Sequence, residues 1–318
     1  MAGVDDYSNW MGNLPEEKHS VPLNTLAIPG SHDSFSCHLD KTGELSPDNE
    51  KAIFDLCKIF GNMAKDIIYN WSVTQSKTFT EQLNAGIRYF DMRSTSKPGC
   101  EDIVFCHGMY GDKIEDSLRE IDQFLIDHPK EVVLLDFNHF YKMNDFHHKQ
   151  FLSMILEVFG YKMCPFLDVE SVTLEMLWEN NLQVIIFYKD KIASDYLQFF
   201  PTQSIMSPWA NTPDCDKLLK FLDDIYSNGH DPEKFWVWQG VCTPDVGTIM
   251  RYLTGSLKTD IAKKVAPRFM SWLSDKKTGP TGINICILDF IEMENYVPCV
   301  LALNAKCQFA IFTISVVY

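Results

Sequence analysis

Residues 132–139 read Val132-Val133-Leu134-Leu135-Asp136-Phe137-Asn138-His139, an unbroken apolar run that turns acidic, then amide and imidazole, at its end. A strand with one wet face alternates apolar and polar residues. A continuous run belongs to a strand buried on both faces, the habit of parallel sheets. Similar runs recur at Thr25–Ile28, Ile87–Met92, Ile103–Cys106, Val184–Tyr188, Phe235–Trp238 and Ile283–Leu288. Between them lie helical patterns. Asp112–Asp127 spaces Ile114, Leu118, Ile121 and Leu125 along one face, and Pro129 comes next as a stop. Phe146–Phe159, Leu174–Glu179, Leu218–Tyr226, Ile261–Leu273 and Tyr296–Leu303 read similarly. Strands alternating with helices over this length predict an α/β fold, with a (β/α) barrel ahead of an open sheet.

Barrel enzymes gather their chemistry at the C-terminal ends of the strands, so the residues just after each run carry the most information. The first run is succeeded by Pro29-Gly30-Ser31-His32-Asp33-Ser34. The second leads into Asp91-Met92-Arg93, the third into His107-Gly108 and the last into Asp289-Phe290. On a barrel, these imidazoles, one guanidinium and several carboxylates converge on one rim.

The bulk of the chain limits what that rim can serve. It has 318 residues, 46% hydrophobic and 22% charged, enough for a sizeable core. Its formal net charge is −15 with a pI near 5.0, which repels phosphate backbones and disfavours a nucleic-acid reader. Any contact with an anionic membrane must come from a local patch. The ten cysteines sit in apolar or mixed segments without a Cys-x-x-Cys pair, which reads as free thiols in a reducing compartment. Met1 to Pro15 is polar, with no cationic start and apolar run, so a cytoplasmic chain is expected. No apolar stretch reaches the ~20 residues of a spanning helix. No linker is evident: a single domain is expected over 1–318, with its core at about 10–304 and an apolar tail at 305–318.

Two histidines on opposite sides of a phosphodiester serve as general base and general acid, because imidazole titrates near neutrality. An arginine between them holds the phosphate oxygens. Carboxylates behind the imidazoles fix tautomer and charge. His32 and His107 stand beside Asp or Gly at predicted strand ends; His139 is a third candidate, between Asn138 and Phe140. His19, His38, His128, His147, His148 and His230 read as packing or surface residues. Each candidate also has a structural reading: a salt bridge for Arg93 with Asp91, a helix cap for Asp289, a solvated loop charge for Lys189.

Leu26-Ala27-Ile28-Pro29-Gly30-Ser31-His32-Asp33-Ser34-Phe35 resembles the opening of the X-box of phosphatidylinositol-specific phospholipases C. Ala85-Gly86-Ile87-Arg88-Tyr89-Phe90-Asp91-Met92-Arg93 resembles its second block and Val104-Phe105-Cys106-His107-Gly108 its third. Trp71-Ser72-Val73-Thr74-Gln75, Leu135–Tyr141 and Pro208-Trp209-Ala210-Asn211-Thr212 resemble small animal proteins made of an X-domain alone. The resemblance implies a distorted TIM (β/α) barrel. It also implies cleavage of inositol phospholipid, at a membrane surface, to diacylglycerol and inositol phosphate through a cyclic intermediate. His32 then matches the general base, His107 the general acid, Asp289 the partner of the base and Asp33 a carboxylate assisting acid and leaving group. Asp91 and Arg93 match the pair of the bacterial, metal-independent enzymes.

The calcium-dependent relatives carry Asn after the first His and an acidic residue where Arg93 stands. With Asp33 and Arg93 here, no metal or other cofactor is expected. Asn138 falls where those enzymes have a ligand carboxylate and the bacterial ones a lysine; it and Lys189 are candidates for contacting the substrate headgroup. The stretch Ile53–Trp71, with Lys51, Lys58 and Lys65, reads either as an amphipathic helix packed on the barrel or as an interfacial segment. Two alternatives stand beside the phospholipase reading. One is a metal-dependent glycerophosphodiester phosphodiesterase; the other is an inositide-binding scaffold without turnover.

Overall fold

The computed structural model describes residues 6–49 and 61–306. Six of the predicted runs become parallel strands, β6 at its expected bounds, β9 starting later, and the others displaced or extended toward their C-terminal ends: β1 (Ile28–Ser31), β2 (Tyr89–Ser96), β5 (Val133–Tyr141), β6 (Val184–Tyr188), β8 (Phe235–Gly240) and β9 (Ile285–Leu288). A short β7 (Ile205–Met206), too brief to show in the sequence, completes the set. The parallel order is β6-β5-β2-β1-β9-β8-β7. Among the described residues no ladder joins β6 to β7; β6 makes only an isolated bridge, Phe187 to Phe200 in the segment before β7, so the barrel ladder is open on that side.

The continuous apolar runs are explained by the two faces they bury. Tyr89, Leu134, Ile185, Phe187, Phe235, Val237, Ile285 and Ile287 belong to one buried cluster. Their alternating neighbours Phe90, Val133, Leu135, Ile186, Trp236, Trp238, Cys286 and Leu288 belong to another, with the helices. The first set fills the lumen and the second lies under the helical layer, as period two requires. Toward the strand ends, the lumen positions change from apolar to polar: Tyr89 gives way to Asp91 and Arg93, Leu134 to Asp136, Phe187 to Lys189, Val237 to Gln239 and Ile287 to Asp289.

The third run departs from the expectation. β3 (Ile103–His107) pairs antiparallel with the outer half of β2 and with β4 (Met109–Lys113). His107 therefore does not end a barrel strand. It sits at the tip of a hairpin that folds back over the rim. The turn demands Gly108, whose φ is +70° and whose position leaves no room for a Cβ, which would collide with Ser72 Oγ.

The helices that matter for the site are α1 (Asn62–Ser72) and α2 (Phe79–Asn84), before β2. Thr78 caps α2 reciprocally with Glu81. The helix expected at Leu174–Glu179 forms over those residues, because the Thr173 side chain accepts from Met176 N as its N-cap. The eight described cysteines are free. Among the described residues no helix is long and apolar enough to cross a membrane. The tail 307–318 and residues 50–60, including Lys51 and Lys58, lie outside the described residues.

Candidate active site

The rim carries a cavity of about 870 Å³ lined by His32, Asp91, Arg93, His107, Asn138, His139, Lys189 and Asp289, among others. Of the sequence candidates only Asp33 is absent from the lining: it lies beneath, its side chain fully buried, at the centre of the charged groups. Its backbone takes a left-handed φ of 39°, a conformation that costs a non-glycine residue about 1 kcal/mol or more. That turn throws its carboxylate between the two imidazoles. Asp33 Oδ2 is 3.4 Å from His32 Nε2 and 3.3 Å from His107 Nε2. Asp33 Oδ1 is 2.7 Å from Arg93 Nε, an ion-pair contact without hydrogen-bond alignment.

Each imidazole is oriented from behind. His32 Nδ1 meets Asp289 Oδ1 at 2.7 Å, and its Nε2 is also 3.9 Å from Asp91 Oδ2. His107 Nδ1 donates to the Ser72 carbonyl at 2.7 Å. Both anchors converge on the segment Trp71–Gln75. Thr74 Oγ1 and Gln75 Nε2 donate to the His32 carbonyl at 3.1 and 3.0 Å, and Phe290 N donates to Thr74 O at 2.7 Å, holding the loop after β9. The hairpin tip is tied by Gly108 N donating to Asp48 Oδ2 at 2.8 Å and by Asn49 Nδ2 donating to Gly108 O at 2.6 Å.

These contacts set the charges. Burial pulls the His32 pKa down, but Asp33, Asp289 and Asp91 outweigh it and raise the imidazole to about 9. Burial pushes Asp33 up, and Arg93, His107 and His32 overcome it, holding the carboxyl at about 2. Arg93 is likewise raised by Asp33 and Asp91 against its burial.

Asp136 is a cavity residue outside the candidate set. Burial raises its carboxyl to about 6, against hydrogen bonds from Tyr89 OH at 2.7 Å and Asn138 Nδ2 at 3.2 Å. Its signal in the sequence was its place two residues after Leu134 on the lumen face. Asn138, read as a headgroup contact, spends its amide on the protein: Nδ2 also donates to Asp91 Oδ1 at 2.6 Å, and Oδ1 lies 2.6 Å from His139 Nδ1. Lys189 is exposed at the cavity wall. Lys65 donates to Gly43 O at 2.7 Å, and Ile67, Ile68 and Trp71 are buried against the barrel. The described part of that helix is thus packed, as the first of its two readings had it.

His32, Asp33 and Asp91 place donor atoms within 4.8 Å of one another, the sort of cluster that holds a cation. The set does not fit a calcium ion. Calcium takes six to eight oxygens, Asn138 brings no charge, and the Arg93 guanidinium already neutralises Asp33. An ion there would share the pocket with the Arg93 cation.

A family model described as PI-PLC X 1 matches residues 69–202, a span that begins after His32 and Asp33. PI-PLC X domain-containing protein 3 of Mus musculus is 40% identical over 300 residues, covering 94% of each chain. PI-PLC X domain-containing protein 2 of the same species is 45% identical, covering 93% of this chain and 87% of that protein. In structure the chain is similar to a mutant of the phosphatidylinositol-specific phospholipase C from Staphylococcus aureus, with TM-score 0.65, 15% identity and coverage of 94% and 97%. It is also similar to the phosphatidylinositol-specific phospholipase C from Listeria monocytogenes, with TM-score 0.63, 19% identity and coverage of 96% and 100%.

Proposed function

The chain belongs to the PI-PLC X domain-containing protein family, and from that premise we propose that it is a phosphoric diester hydrolase cleaving inositol phospholipid to diacylglycerol and inositol phosphate by way of a cyclic phosphate. The observation that carries this is the convergence of two imidazole Nε2 atoms, at 3.4 and 3.3 Å, on one carboxylate oxygen whose partner oxygen meets a guanidinium at 2.7 Å.

In the forward step His32 Nε2 takes the proton of the ring hydroxyl next to the phosphate, and that oxygen attacks phosphorus. Arg93 donates to the non-bridging oxygens as their charge builds. His107 Nε2 delivers a proton to the departing diacylglycerol oxygen, with Asp33 holding that edge of the ring. Opening of the cyclic phosphate by water runs the roles in reverse. Because His32 titrates at about 9, the resting ring is imidazolium, and the base form grows as pH rises. Arg93 supplies the positive charge, so the reaction needs no metal ion.

The exposed rim residues Trp209 and Met206 and the outward-facing Met63 support peripheral contact with a bilayer. The free cysteines suit the reducing cytoplasm. The test is release of inositol phosphate from phosphatidylinositol vesicles by purified protein, with and without excess chelator. Turnover unaffected by chelator is expected. Chelator-sensitive activity restored by calcium places the chain with the metal-dependent enzymes, and tight vesicle binding without turnover makes it a scaffold.

A further inference from the structure

β2 and β5 run in register from Tyr89↔Leu134 to Met92↔Phe137, and then Arg93 pairs with His139, skipping Asn138. Such a bulge breaks the alternation of side chains and re-aims one of them. Its effect here is that Asn138 and its neighbour His139 both line the cavity. Their hydrogen bonds fix what each can do. Asp91 Oδ1 at 2.6 Å and Asp136 Oδ2 at 3.2 Å both face Asn138 Nδ2, which is therefore the donor end of the amide. Asn138 Oδ1 is left to accept from His139 Nδ1 at 2.6 Å. The proton of the neutral imidazole is thereby placed on Nδ1, and the lone pair on Nε2. Among the described residues no hydrogen bond to that Nε2 is found, and the ring is exposed. Tyr141 stacks nearly parallel to it, with centroids 6.2 Å apart.

We propose that His139 is a substrate-contacting specificity residue, whose Nε2 accepts a hydrogen bond from a hydroxyl of a cyclic polyol headgroup other than the hydroxyl that attacks phosphorus. The inference rests on the phosphodiesterase reading above and adds the group that reads the ring. The charged neighbours are consistent with an acceptor. Partial desolvation against the cavity wall, and then Arg93, lower the exposed imidazole's affinity for a proton, and Lys189 adds to this, against Asp91 and Asp33. Asn138 is then a positioning residue, holding the ring through Asp91 and Asp136.

His139→Phe keeps the ring and loses the acceptor, and His139→Gln returns one. Two diesters separate recognition from chemistry: phosphatidylinositol in phosphatidylcholine vesicles, and soluble 2-hydroxypropyl p-nitrophenyl phosphate, which has an internal hydroxyl and no polyol ring. His139→Phe is expected to lower kcat/KM on phosphatidylinositol roughly tenfold, mostly through KM, in line with one lost hydrogen bond. Turnover of the soluble diester stays at the wild-type level, and His139→Gln recovers part of the loss. Equal losses on both diesters, or none on phosphatidylinositol, overturn the assignment. If the wild type cleaves neither diester, the phosphodiesterase reading fails and binding decides this one. A saturable shift of the His139 ring resonance on titrating myo-inositol, with the affinity for myo-inositol (read on the other cavity resonances) weakened in His139→Phe, supports it, and no shift overturns it.

Discussion

Two arginines, Arg88 buried beneath the barrel just before β2 and Arg93 half-buried within β2 at the rim, are partnered in opposite ways. Arg88, just before the strand, donates from Nε to Glu131 Oε2 at 2.8 Å. Its Nη1 reaches the carbonyls of Leu83 and Ile87, and its Nη2 those of Tyr7 and Ser8. Glu131 accepts in addition from Met11 N and Gly12 N, so the pair ties the N-terminal segment under the barrel. Arg93, five residues further on at the rim, touches Asp33 through Nε, and among the described residues its Nη atoms have no hydrogen-bond partner. Burial raises Glu131 and lowers Arg88 against their mutual attraction, as in a pair sealed from water. At the rim the carboxylates and imidazoles raise one another's charge instead. A saturated buried pair has nothing left to give a ligand. An unsaturated one, held in a strained turn and opening on a cavity, is set to exchange protein contacts for substrate contacts.

The sharpest way to break this contrast is to remove groups from each end and ask whether activity and stability separate. His32→Ala and His107→Ala are each expected to lower turnover of phosphatidylinositol by roughly 10²- to 10⁴-fold, the usual worth of a general acid or base. Their cooperative melts should persist. Near-native turnover in either variant removes that histidine from the mechanism. Glu131→Ala should do the reverse. Leaving the Arg88 guanidinium buried and unpaired costs about 3–5 kcal/mol, read as a lower denaturant midpoint, while the activity per folded molecule is unchanged. A loss of activity without a loss of stability there would erase the distinction between the two ends.

Arg93→Lys tests what the unsaturated arginine is for. Lysine keeps the charge and loses the planar fork. Turnover should fall roughly 10- to 100-fold, below the worth of a whole oxyanion donor, with wild-type activity unaffected by chelator throughout. An Arg93→Lys enzyme at full rate would mean that charge alone suffices at this position.

The same contrast shows what was legible in the sequence. The rim end of each strand could be read, because burial on both faces leaves a largely apolar run and a carboxylate at or near its C-terminal end marks the rim, as Asp91, Asp136 and Asp289 do. The β3–β4 hairpin was not legible. Ile103–Cys106 is buried like a barrel strand, and composition does not tell antiparallel from parallel pairing; only Gly108, with its positive φ, hinted at the turn. The bulge at Asn138 was hidden for a related reason. Register is a property of two strands, so the sequence around Asn138 does not show that His139 shares its cavity face. Asn138 looked free to bind substrate because its shorter hydrogen bond goes to Asp91, on a different strand and far away in the sequence, although Asp136 lies only two residues before it. The saturation of Arg88 was equally invisible, since it depends on carbonyls from residues near the N-terminus.

The smallest effect is a pH dependence, and it separates the two ends without destroying either. In the fold His32 titrates at about 9, above the ordinary 6.5, because Asp33, Asp289 and Asp91 outweigh its burial. A raised pKa means that the folded state holds the proton more tightly. The resulting stabilisation is fully present below about 6.5 and is lost as pH rises through about 9. Its upper bound is about 3 kcal/mol, and solvent reaching the ring trims it to the order of 1–2 kcal/mol. Catalysis runs the other way, because the base must be neutral, so kcat/KM should climb across the window in which stability declines. Denaturant midpoints of wild type and His32→Ala, compared from pH 6 to about pH 9.5, should converge as pH rises. Glu131→Gln, changed at the far end, should keep the wild-type slope. Parallel midpoint curves for wild type and His32→Ala would mean that the carboxylates at the rim do not hold that proton, and the rim would then be no more poised than the sealed pair beneath it.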